Sequence, residues 1–529
     1  MNIKLLLIIA TVLLMQPSAY CSTKVLSAQE VDRIVNRAME KFSVLGVAVG
    51  ITQNGKVLLS KGYGLNNVNT AQKINDLTLF KIASTTKAFT AAALAILVDQ
   101  GKLKWDSKVV DIIPNFALYD PWVTKEFTII DLLTHRSGLA RYAGDLMLWP
   151  EPAGFSRDEI INNIKFLKPA SSFRSEYAYD NLLYIVAGEI IPHLTGQSWE
   201  DFVEQNIFHV LGMNNCFAGP VDKNFMANIA QPHGLIDNTL QVIERSQTYD
   251  KYSVLAAAGG IKCSVKDLLN WVETQLNRGL SKKGVRLFSE KQSEIMWQPQ
   301  TILSVSKEEK TLDNTNFKSY GLGWRLADMH GFKRVSHTGS LSGNISMITM
   351  IPELNLGVIV LLNQNAYHAR KAIMDSIVKS FMQVKKLDWI DIHFKKRQKR
   401  LQNIQQEQAK NKRITKEETT KIGKSSISLS SFIGTYQDPW FGQVNISIID
   451  EQLYFQSLKS IRMKGKMTVK GQEHFLVRWD DRTLEADAVV NFNLDSSNNA
   501  QGFTMEPNSS TVDASFDYID LIFTRIIKD

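Results

Sequence analysis

Apolar and polar positions recur along this chain with different periods, and each period marks out a different part of it. From Ala28 to Phe42, residues Val31, Ile34, Val35, Ala38, Met39 and Phe42 fall on one helical face, which predicts an amphipathic helix. A hairpin follows: an apolar run from Gly46 to Thr52, a turn at Asn54-Gly55, and a second run from Val57 to Ser60. From Ser84 to about Pro192 the pattern is mainly helical, and Ala88 to Val98 is apolar nearly all round. That run predicts a buried helix, with Gly101 where a C-cap belongs. Strands return at Arg334–Ser336 and Ile345–Ile351, and Gly357–Leu362 has the continuous apolar character of a strand buried on both faces. A further helix is predicted over about Ala369 to Gln383. Strands at both ends of a helical middle predict one α+β domain over residues 22–390, closed by its own termini.

Residues 391–428 are rich in Lys, Arg, Gln and Glu and poor in large apolar side chains. They read as a solvated helix or flexible connector. Beyond them the period changes to two: Val444–Ile448 alternates, Asp450-Glu451-Gln452 turns, and Leu453-Tyr454-Phe455 returns. Further strands are expected at Ile461–Val469, His474–Trp479, Ala488–Leu494, Gly502–Glu506 and Tyr518–Ile526. This spacing predicts a small antiparallel barrel or sandwich over 429–529.

At 529 residues the chain is too long for one core, in keeping with that division. The N-terminus has the form of a secretory signal over residues 1–21: Lys4, an apolar run from Leu5 to Met15, and Ala19-Tyr20-Cys21 before Ser22. Export to the periplasm or the medium is therefore expected. Acylation of Cys21 is the rival reading, disfavoured by the bulk of Tyr20. With Cys21 removed, only Cys216 and Cys263 remain; an oxidising compartment permits their pairing, and two small buried residues is the alternative. The formal charge of +8 is local, since Lys395 to Lys424 holds eleven basic and three acidic residues and accounts for all of it. That is no nucleic-acid footprint. It fits at most weak contact with membrane lipid or cell-wall polyanions.

The candidate chemistry starts at Ser84-Thr85-Thr86-Lys87. Positions i and i+3 share a helical face, so a hydroxyl nucleophile and an amine base stand one turn apart. At the helix N-terminus, unpaired N–H groups and the dipole favour a developing oxyanion. Two more motifs follow in order, Tyr179-Asp180-Asn181 and His337-Thr338-Gly339-Ser340, beside Thr134-His135-Arg136-Ser137-Gly138-Leu139, Ala258-Gly259-Gly260 and Tyr320-Gly321-Leu322-Gly323-Trp324. No G-x-S-x-G elbow, C-x-x-C or H-E-x-x-H occurs.

Together these motifs resemble the serine β-lactamase and penicillin-binding protein family, most closely its class C branch with the related esterases and D-aminopeptidases. The resemblance covers about Leu26 to Val384, and the tail resembles the lipocalin-like barrel appended to some members. It implies an antiparallel sheet flanked by helices plus an all-helical region. It also implies an acyl-enzyme on Ser84, Lys87 as base, and Tyr179 as proton shuttle to the leaving group. Asn181 would hold Lys87 and a substrate amide, His337, Thr338, Gly339 and Ser340 would bind substrate, and the Ser84 and Ser340 N–H groups would form the oxyanion hole. No cofactor or metal is implied.

The departure is His337, where β-lactamases usually carry Lys to fix a substrate carboxylate. A histidine is neutral much of the time near pH 7, which favours small amides or peptides, D-aminopeptidase-like, over β-lactams. Carboxylesterase or weak β-lactamase activity is the alternative within the family. A non-turnover penicillin-binding or ligand-sensing protein is the alternative outside catalysis. His135 and Asp180 read as structural hydrogen-bonders, and Tyr320 and Trp324 as core or pocket wall.

Overall fold

The structure is a computed structural model and describes residues 26–236, 239–244, 249–382, 384–421 and 428–526. The export signal expected over 1–21 lies outside the described residues, as does Gln383 at the end of the helix expected from Ala369.

Helix α1 (Ala28–Phe42) is closed at its start by a Ser27/Glu30 capping box. Strands β1 (Gly46–Gln53) and β2 (Lys56–Gly64) form the expected hairpin around Asn54-Gly55, both with positive φ. Next come β3 (Leu79–Lys81), a 3-10 turn over Ala83–Thr86, and α2 (Lys87–Asp99). Every residue of α2 from Lys87 to Leu97 is buried, and Phe89 stacks on Trp271 at 4.0 Å between ring centroids. The helix stops at Gln100, with Gly101 at φ +71° as its exit.

Helix α3 (Leu182–Thr195) runs behind the site. Strand β4 (Cys216–Phe217), the hairpin β5 (His233–Ile236) and β6 (Thr239–Val242), and β7 (Lys262–Ser264) lead into α4 (Val265–Leu276). Cys216 and Cys263 lie opposite each other on β4 and β7 and are joined by a disulfide.

The main sheet has eight strands. To β1 and β2 it adds β8 (Thr301–Ile302), β9 (Lys318–Tyr320), β10 (Arg325–Met329), β11 (Phe332–Leu341), β12 (Asn344–Ile351) and β13 (Leu356–Leu362), in the order β2-β1-β13-β12-β11-β10-β9-β8. The N-terminal strand thus pairs with the last, Val47 opposite Leu362. β12 and β13 are buried along their whole length. α1 and α5 (Tyr367–Phe381) cover one face of this sheet, and α4 covers the other. β8 to β10 are too short to show a period, which is why the apolar pattern did not announce them.

Helix α6 (Trp389–Lys421) occupies most of the stretch read as a linker. Its first turns are packed rather than solvated. His393 is buried with Nε2 2.9 Å from Asp375, Asp391 takes Lys41 at 2.7 Å, and Phe394 meets Phe42 edge-on.

The barrel is closed by eight antiparallel strands: β14 (Gly434–Asp438), β15 (Gly442–Ile449), β16 (Gln452–Ser457), β17 (Lys464–Val469), β18 (His474–Trp479), β19 (Ala488–Leu494), β20 (Ala500–Pro507) and β21 (Ile522–Arg525). Two expected strands are shorter than their patterns. Ser460–Met463 forms a turn before β17, and Tyr518 sits in a turn with its hydroxyl on the Ala486 carbonyl. Aromatic side chains fill the interior, Phe432, Phe475, Phe492 and Phe503 meeting at 4.9–5.7 Å between centroids. Barrel side chains also grip the first domain. Lys459 pairs with Glu159 at 2.5 Å, Arg462 Nη1 donates to the Glu151 carbonyl, and the Trp440 carbonyl accepts from Asn163.

Candidate active site

Ser84 lies in the turn between β3 and α2, the only part of that segment not fully buried. The residue before it, Ala83, has φ +49°. A left-handed conformation at a residue with a side chain costs about 1–3 kcal/mol and collects at functional sites. It is held from both sides, Ile82 N–H donating to the Ile261 carbonyl and Ile261 N–H to Thr86 Oγ1.

Lys87 has no solvent exposure. Its Nζ is 3.4 Å from Ser84 Oγ and donates to Asn181 Oδ1 at 2.7 Å and the Ala258 carbonyl at 2.8 Å. Burial lowers its pKa to about 7; the nearby Asp145 pulls it up and Arg325 pushes it further down. Near neutrality a large fraction of Lys87 is therefore free amine with its lone pair available.

Tyr179 is pinned by its neighbours. Its carbonyl accepts from Tyr142 N–H, and its ring lies 4.3 Å from that of His135 and 4.9 Å from Lys87 Nζ. Burial raises its pKa well above the ordinary value, and Arg325 and the Ser84 hydroxyl only partly offset this. Tyr179 therefore rests as a neutral phenol and can pass a proton, whereas the free base of the site is Lys87.

Asn181 directly precedes α3 without capping it, and its side chain points inward. While Oδ1 takes Lys87, Nδ2 donates to Asp145 Oδ2 at 2.7 Å. Asp145 is fully buried, and burial raises its pKa well above the carboxylate range. Asp180 faces away, accepting Leu183 N–H, and His135 Nδ1 accepts Asp180 N–H.

Thr338, Gly339 and Ser340 face the pocket from β11. Gly339 has to be glycine, because a Cβ there would lie 2.3 Å from the Ile82 carbonyl oxygen. β10 pairs only with Phe332–Ser336, so from His337 onward β11 has a strand partner on its β12 edge alone among the described residues.

His337 does not join its neighbours at the pocket wall. It is fully buried, with Nε2 2.9 Å from the Tyr320 hydroxyl and Nδ1 2.8 Å from the Thr338 carbonyl. Burial, with Arg325 and Lys87 nearby, drives its pKa well below the ordinary value. Alternation explains the position: Thr338 points one way along the strand and His337 the other. In this structure the His337 ring meets the Tyr320 hydroxyl and does not line the pocket.

The pocket encloses about 210 Å³ and contains residues the motifs did not single out. Arg325 donates to Thr338 Oγ1 at 3.4 Å and lies over the Tyr179 ring. Arg370 donates to the Gly339 carbonyl at 2.9 Å. From the barrel come Asp513 and Ser515. Arg325 directly follows the Tyr320–Trp324 motif, the one signal that pointed at it. Nothing local marks Asp513, which reaches the site only through the docking of the barrel.

The profile of the β-lactamase family ("Beta-lactamase") matches residues 31–380, and that of a domain of unknown function (DUF3471) matches 418–525. The unguisins hydrolase ungD' of Aspergillus campestris is 26% identical over 504 residues, 91% of this chain and 90% of its own length. Protein flp of Staphylococcus aureus is 26% identical over 353 residues, 66% of this chain and 65% of its own. Among solved structures, an octameric penicillin-binding protein homologue from Pyrococcus abyssi superposes with a TM-score of 0.57 at 18% identity, over 94% of this chain and all of that one. A class C β-lactamase from Rhodobacter sphaeroides superposes with a TM-score of 0.52 at 19% identity, over 66% of this chain and 98% of that one. A turn bearing Ser84, a buried amine beneath it and a β-strand edge alongside thus sit on a β-lactamase/transpeptidase fold, and the chain belongs to the β-lactamase family.

Proposed function

We propose that the protein is a serine hydrolase that forms an acyl-enzyme on Ser84 and cleaves amide or ester bonds, preferring small peptides with a free amino group. The observation that carries this reading is the Lys87 amine: buried, held by two acceptors, 3.4 Å from Ser84 Oγ and with its pKa lowered to about 7 by burial. Lys87 takes the Ser84 proton as Oγ attacks the substrate carbonyl. Charge builds on the carbonyl oxygen, for which the N–H groups of Ser84 and Ser340 are the donors. Tyr179 gives a proton to the departing amine or alcohol and recovers one from Lys87. Water, deprotonated by the same pair, then cleaves the acyl ester and restores Ser84.

Two features support the preference. His337 is neutral and turned away, so the cation that would hold a β-lactam carboxylate at that position is missing. Asp513 offers a carboxylate at the pocket mouth, a partner for a substrate ammonium. The name of the fungal relative, a hydrolase, supports hydrolysis as the reaction. Action outside the cytoplasm belongs to the same proposal. It rests on the apolar N-terminal run and on the Cys216–Cys263 disulfide, which an oxidising compartment preserves.

The test is intact mass after treatment with a small fluorophosphonate, followed by turnover of D-aminoacyl amides, short esters and β-lactams. A single adduct absent from Ser84→Ala is expected, with the aminoacyl amides turned over fastest. An unmodified, folded wild-type protein would defeat the proposal.

A further inference from the structure

Beside the Ser84 pocket lies a larger cavity, about 640 Å³ against about 210 Å³. The two are continuous: Tyr142, Trp149, Ser340, Tyr367 and the barrel's Asp513 line both. The outer walls of the larger cavity come from the β5 hairpin at Leu235 and from barrel segments 483–485 and 510–516. Sites that enclose a small ligand usually measure about 300–1,000 Å³. The Ser84 pocket alone falls short of that range, and the two cavities together reach it.

The chemistry of the walls selects among occupants. β11 runs past Ser84 with one edge lacking a strand partner among the described residues from His337 onward, and the chain continues along the larger cavity at Leu341 and Ser342. Such an edge presents alternating N–H and C=O groups at the repeat of an extended polypeptide. Trp149 and Tyr142 offer flat apolar faces at the junction. Charges of both signs, Arg141, Arg400 and Arg462 with Glu485 and Asp513, line the space, and Arg462 is already paired with Asp481, so it suits neither a polyanion nor a lipid chain.

We propose that this groove between catalytic domain and barrel is the subsite for a peptide chain continuing beyond the cleaved bond, so that oligopeptides bound in extended form are the preferred substrates. The inference rests on the serine-hydrolase reading of the same pocket and narrows its substrate class.

The test is a series of substrates with the same cleaved residue and one to six residues in all. kcat/KM is expected to rise at least tenfold from the single-residue amide to the tetrapeptide and then level off. Thr511→Trp and Leu235→Trp fill the groove from its barrel wall and its hairpin wall, both at exposed positions. Each is expected to bring the ratio of long to short substrate close to one. A wild-type ratio near one overturns the proposal, as do two folded variants that slow both lengths equally. Binding of the tetrapeptide to Ser84→Ala, followed by tryptophan fluorescence, separates the two readings. Tight, groove-dependent binding without any turnover by wild type defeats the hydrolase but keeps the groove. Turnover without length dependence defeats the groove alone.

Discussion

Burial brings the Lys87 amine close to neutrality, with Asp145 and Arg325 adjusting it in opposite directions, and that sets how the proposed reaction should respond to pH. Only the free amine can accept the Ser84 proton, and its pKa is about 7. kcat/KM is therefore expected to climb about tenfold per pH unit below neutrality and flatten above it. The Arg325 charge favours the neutral amine. Arg325→Met should move the limb to higher pH, a displacement read from kcat/KM profiles of the two proteins; an unmoved limb would separate Arg325 from Lys87. Ser84, Lys87, Tyr179 and Asn181 were legible in the sequence because two short motifs carry all four, and helical spacing alone brings the first two together. Arg325, Asp145 and Asp513 were not, since each reaches the site only through tertiary packing. His337 was legible as a residue but not in its direction. A one-residue alternation along β11 separates the pocket wall from the core, and motif order does not carry that phase.

Between residue and molecule stand the short elements that carry the site. β3 delivers the chain to Ala83 and Ser84, and β7 pairs with it while the Cys216–Cys263 disulfide ties β7 to β4. The bridge closes a loop with a separation of 47 residues. Cys263→Ser should lower unfolding stability by about 2–4 kcal/mol, measured by denaturant titration with and without reductant. The loop ahead of Asp145 depends on the barrel in a comparable way. Gly144, at φ +71°, donates its N–H to Asp517 Oδ2 at 2.7 Å and begins the turn that aims Asp145 at Asn181. Asp517 is thus a positioning residue. Asp517→Ala should lower kcat about tenfold with little change in KM, while Asp517→Asn, which keeps an acceptor oxygen, should retain most of it. Equal losses in both would show that only the fold had suffered. Elements with a long period, α1, β13 and the barrel strands, were readable in advance. β8 to β10 and the Gly144 turn were not, because two to five residues hold no period and their geometry is set by partners distant in sequence.

At the scale of the whole molecule, the chain divides its labour unevenly between two folds. The first carries Ser84 and Lys87; the second, its interior filled with aromatic rings, adds an outer wall and the Asp513 carboxylate to the pocket. The main sheet joins its first strand to its last, with Leu45 N–H bonded to a side-chain oxygen of Gln364, 319 residues further on. Hairpins form in about 1–10 μs, so β1 and β2 can meet as soon as they are made. The strand that covers their other edge is another matter: at about 5–20 residues per second of synthesis, β1 waits on the order of 15–60 s for β13. For that interval the oldest part of the molecule carries its stickiest edge bare, and the arrival of the last strand decides when it is safe.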